Sequence, residues 1–90
     1  MNNKKLSVEQ RCQAAIDRVD LAIRNHEQNK PEDLSIPLLR KVREELVQMK
    51  AALSPSVFCP SYGRFVLDWP DEHGLIRQLS DVSYEYERLE

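Results

Sequence analysis

Two glycines, two cysteines and one tryptophan in 90 residues leave little room for several kinds of protein. There is no glycine-rich phosphate loop, no G-x-S-x-G elbow and no H-E-x-x-H pair. No run approaches the roughly 20 apolar residues that a membrane span needs. The start, MNNKKLSVEQ, has two lysines but no apolar stretch behind them, so it does not read as a secretory signal. A cytoplasmic protein with no membrane partner is expected, and in that compartment Cys12 and Cys59 should be free thiols. Excess charge of either sign is also missing, with a formal net charge of −2. What acidity there is lies late: residues 55–90 carry three positive and seven negative charges. That face suits neither a phosphate backbone nor an anionic bilayer, so no nucleic acid is expected as a partner.

What the chain does have is helical periodicity. Val8, Cys12, Ala15, Val19, Ala22 and His26 recur at steps of three and four, with Ile16 and Ile23 widening the stripe. Ser7 followed by Gln10 reads as a capping box at the start of this helix. NKPED (29–33) breaks it. Leu39, Val42, Leu46, Met49 and Leu53 form a second stripe, with Ser35 as expected cap and Pro37 in the first turn, where its missing amide costs nothing. A third stripe, Leu75, Leu79, Val82, Tyr86 and Leu89, follows Asp71, an expected cap for its helix. The expectation is one all-α domain over 1–90: an antiparallel helical hairpin (about 7–28 and 35–54), an extended aromatic-rich segment (55–70) and a third, C-terminal helix (71–89). The i, i+4 charge pairs Asp20–Arg24, Arg40–Glu44 and Lys41–Glu45 read as ordinary solvated helix faces.

Residue types for chemistry are present but unpaired. Zinc sites draw ligands in close pairs, and this chain has none; Cys12 and His26 share a stripe but lie about 21 Å apart along a helix. Neither a metal nor a cofactor is expected. Cys59, His73 and Asp71 supply a nucleophile, a base and an acid in one region, and they define the alternative reading, a small-ligand-binding protein or enzyme. The words IDRVDLAI (16–23) resemble the first helix of helical chorismate mutases over about eight residues. That family has an arginine three residues before the isoleucine, and Gln13 stands there, so the identification is rejected.

The stretch PSYGRFVLDWPDEHG (60–74) stands apart from the helices. Phe58, Tyr62, Phe65 and Trp69 are four of the six aromatic residues, and both glycines, Gly63 and Gly74, fall within it. FVLDW alternates Phe65, Leu67 and Trp69 against Val66 and Asp68, which in extended form puts three large side chains on one side. Such a segment can plug the groove of a helical hairpin, or it can face a partner. Trp, Tyr, Phe and Arg are the residues that anchor interfaces. The expected function is therefore a non-enzymatic interaction module that binds another protein or itself, as a homodimer, through residues 58–73. Its candidate contacts are Tyr62, Arg64, Phe65, Asp68 and Trp69.

Overall fold

A computed structural model describes residues 3–66 and 68–89. Among these the chain is all-helical, in the order α1 (Asn3–Glu27), α2 (Ile36–Ala52), α3 (Gly63–Val66) and α4 (Leu75–Glu87). None of these helices is long and apolar enough to cross a membrane. The three apolar stripes are the core: Val8, Cys12, Ala15, Ile16, Val19 and Ala22 from α1, Leu39, Val42, Leu46 and Met49 from α2, and Leu75, Ile76, Leu79, Val82 and Tyr86 from α4 are all buried.

The hairpin is antiparallel. Arg43 donates to Asp20 (2.6 and 3.4 Å), and Lys50 donates to the Gln13 carbonyl (2.5 Å), so seven residues down α1 match seven up α2. Asp20 thus pairs across the hairpin with Arg43 rather than along its own helix with Arg24. The Arg43–Asp20 pair is exposed and the Lys50–Gln13 bond part-buried, and both set register more than stability. The helix α4 runs antiparallel to α1 as well. Lys4, Ser7 and Val8 face Glu85 and Arg88 across a small cleft.

Helix ends depart from the sequence expectation in instructive ways. The helix α1 begins at Asn3, so Ser7 lies inside it and does not cap. No breaker precedes Ser7, and the extra turn has α4 to lean on. It ends in a Schellman motif: Asn29 takes a left-handed φ of 61°, while the Asn29 and Lys30 amides donate to His26 and Asn25. Ser35 does hold the N-cap position of α2, with Pro37 in the first turn, but its side chain makes no capping bond.

The segment expected to be extended is not. Pro55 lies in a turn at Ser54–Phe58, and Gly63–Val66 forms one helical turn. The cause lies elsewhere in the chain: Glu45 on α2 accepts the Ser61 and Tyr62 amides (2.9 and 2.7 Å) and the Ser61 hydroxyl (2.5 Å). These are the free donors of a helix start, and a carboxylate there both satisfies them and complements the dipole. Helical spacing then sends Tyr62 and Val66 inward together, and both are fully buried. The Tyr62 hydroxyl donates to the Leu79 carbonyl of α4 (2.8 Å), so this turn is a wedge between α2 and α4. Lys41, freed from Glu45, sits over the Phe65 ring, 4.9 Å from its centre.

Two consequences can be measured. Tyr62→Phe should cost about 1 kcal/mol of stability, the worth of one buried hydrogen bond, and Tyr62→Ala about 3 kcal/mol or more; urea unfolding reads both. Equal, small losses would remove Tyr62 from the core. Burial pushes the Cys12 thiol up to about 11, against a smaller opposing pull from Lys50, while Cys59 is exposed. Ellman's reagent should therefore find one thiol in the native protein and two after unfolding. The unfolded chain ionises Cys12 near 9.0 while the folded one does not. That contribution to stability is complete below this pH and is lost as pH rises toward about 11.

Candidate interaction loop

Residues 68–74, DWPDEHG, are exposed throughout, and Trp69 keeps 41% of its surface in water. Exposed loops usually move, but both ends of this one are held. At the near end, the Trp69 amide donates to the Val66 carbonyl (3.1 Å) and extends the α3 turn. At the far end stands Asp33, the buried acidic residue of the α1–α2 connection. Its Oδ1 accepts the Glu72 and His73 amides (2.9 and 3.0 Å), and its Oδ2 accepts those of His73 and Leu75 (3.1 and 3.2 Å). Asp71 also caps, as its position suggested, but for amides five and six residues on: Ile76 and Arg77 at 3.2 Å each. The helix therefore starts at Leu75, later than position 71, after Gly74 turns the chain at a φ of 83°. Only glycine takes that conformation without strain.

The connection carrying Asp33 is itself fixed to α1. Glu32, with 4% of its side chain exposed, accepts from Arg18 (3.0 Å) and Asn25 (2.5 Å), and His26 Nε2 donates to the Leu34 carbonyl (2.5 Å). Burial pushes the Glu32 carboxyl up, but the bonds from Asn25 and Arg18 together with the Arg18 charge outweigh it and hold the group below the ordinary carboxylate range. Arg18 Nη1 is buried with no partner among the described residues, so the Glu32 contact is what compensates this guanidinium.

The candidate residues fall into two groups. Tyr62 is core and Phe65 is half-buried under Lys41, so these two support the segment from within. Arg64, Asp68 and Trp69 are exposed, and Leu67 lies outside the described residues. The alternative trio is not brought together. Cys59 lies in a pocket with Arg64, Ser83 and Glu87, against the last turns of α4, whereas Asp71 and His73 precede its first turn. From Leu75 to Ser83 alone the helix spans about 12 Å. No set of three or more His, Cys, Asp or Glu side chains placed to hold a metal ion occurs among the described residues.

Sequence reasoning missed the two carboxylates that hold the backbone on either side of the loop. Asp33 and Glu45 act on backbone amides far along the chain, and no local pattern marks them. It also missed a groove of about 380 Å³ between α1 and α4, which has Arg11, Ala14, Arg77 and Asp81 on its walls and Gly74 at the loop.

Asp33→Ala should destabilise the protein by about 2–3 kcal/mol, because it leaves three amides without acceptors. Asp33→Asn, which keeps one acceptor oxygen, should cost less. In the alanine variant the steady-state anisotropy of Trp69 should fall as the loop loosens. Unchanged anisotropy would show that Asp33 does not order it. Glu32→Gln should cost stability at neutral pH, and this difference from the natural protein should vanish as pH falls and Glu32 is itself protonated. Compared with protein-family models, with curated proteins and with solved structures, the chain gives no match.

Proposed function

We propose that this protein is a small non-enzymatic interaction module that docks onto another protein, or onto its own copy, through the face around residues 58–73, with Trp69 as the anchor. The observation that carries the reading is a half-exposed tryptophan on a loop whose backbone is tied at both ends. A large aromatic side chain left in water is costly for a chain this small, which has few apolar groups to spare for its core. Trp and Arg are the residues that most often dominate interface energies, and Arg64 lies on the same exposed segment. Fixing the loop beforehand lowers the ordering cost of binding, so the carboxylate clamp serves affinity as well as stability. Asp68 and Glu72 beside Trp69 favour a partner surface that is basic.

The single tryptophan makes the test direct. In dilute protein its emission should lie to the red and be quenched by acrylamide. Trp69→Ala should leave unfolding within about 1 kcal/mol of the natural protein. A stability loss of about 3 kcal/mol or more, with shielded blue emission in the dilute protein, would make Trp69 a core residue and defeat the proposal.

A further inference from the structure

We infer that the partner is a second copy of this chain: the acidic loop of each copy seats in the α1–α4 groove of the other, placing Trp69, Asp68 and Glu72 against Arg11 and Arg77. This rests on the docking role proposed for the loop, and it names the occupant. The groove, at about 380 Å³, is in the size range that accepts a few side chains. Ala14 and Gly74 keep it open, and a Cβ placed at Gly74 would meet nothing within 4 Å. Its walls carry two guanidinium groups against one carboxylate, Asp81. Among the described residues neither Arg11 nor Arg77 has a carboxylate within ion-pairing distance. The loop holds the complementary set, since the side chains of Asp68 and Glu72 are exposed and accept no hydrogen bond from any described residue, whereas Asp71 is engaged in capping α4.

The loop does not satisfy its own groove. Gly74 belongs to both, so the two lie side by side, and Asp33 pins the backbone at 72, 73 and 75. Within one copy neither Asp68 nor Glu72 forms an ion pair with Arg11 or Arg77. A neighbouring copy turned about a two-fold axis can supply those pairs. Side-by-side placement of a feature and its complement is what an isologous contact needs, because each copy then gives its loop and receives its partner's. Long-range charge steers little here, with a net charge of −2, but the local patches are of opposite sign.

Charge swapping tests this on the full chain by sedimentation equilibrium. The natural protein should dimerise in a concentration-dependent way, more weakly at high salt. Two double variants are made, Arg11→Glu with Arg77→Glu, and Asp68→Lys with Glu72→Lys; all four positions are exposed, and circular dichroism checks that the fold is kept. Alone, each variant opposes like charges at both contacts and should dimerise at least about tenfold more weakly. Mixed, they restore opposite charges at both contacts of a heterodimer, and association should return. Trp69→Ala should weaken the natural dimer roughly thirtyfold. A natural protein that stays monomeric, or a mixture that stays apart while the natural protein dimerises, would overturn the inference. A monomer whose Trp69 is open to acrylamide would overturn only this pairing and leave the docking role standing. A monomer whose Trp69 is shielded would defeat both.

Discussion

The Asp33 carboxylate joins two parts of this architecture that lie far apart in the chain. It sits in the connection between α1 and α2, yet it accepts the amides that begin α4, some forty residues later in the chain. Without it, the start of α4 would present unpaired donors at a place where Leu75 is fully buried. Burying a helix start on those terms is costly, so the docking of α4 and the position of the acidic loop are both tied to one side chain. Glu45 does the same for the α3 turn from the middle of α2. Each acid joins two elements that periodicity alone would leave free to slide.

Between these clamps lies the wedge formed by residues 54–66. The helices of the hairpin leave a groove that α4 cannot close alone, and Tyr62 and Val66 fill it. Two tyrosines make this filling specific. Tyr62 reaches the Leu79 carbonyl, and the Tyr86 hydroxyl lies between the carbonyls of Ser54 and Phe58 (2.9 and 2.6 Å). An apolar ring of the same size would bury similar area but could sit in several ways. A phenol whose oxygen must meet a given carbonyl has one seat.

The three stripes could be read from the sequence because burial repeats every three or four residues on a helix, and the pattern sits in contiguous residues. The hairpin followed from the short NKPED break. The wedge reads as extended in the sequence because FVLDW alternates, and five residues of alternation are too few to separate a strand from one helical turn. What decides the matter is Glu45, sixteen residues before the amide it receives. Asp71 was legible as a cap in kind but not in reach, since Gly74 shifts the register between cap and helix. Of the candidate contacts, exposure divides Trp69, Asp68 and Arg64 from Tyr62 and Phe65. Aromatic content could not make that division, because core anchors and surface anchors draw on the same residue types.

The antiparallel run of α4 on α1 has a topological result. Lys4 and Arg88 lie at the same end of that contact, while the acidic loop meets α1 near Arg18, whose partner Glu32 adjoins Asp33. Fourteen helical residues separate Lys4 from Arg18, about 21 Å of rise. Any tether leaving either end of the described chain therefore departs at the opposite end of the α1–α4 contact from the Asp33 clamp, and two such attachments emerge near each other.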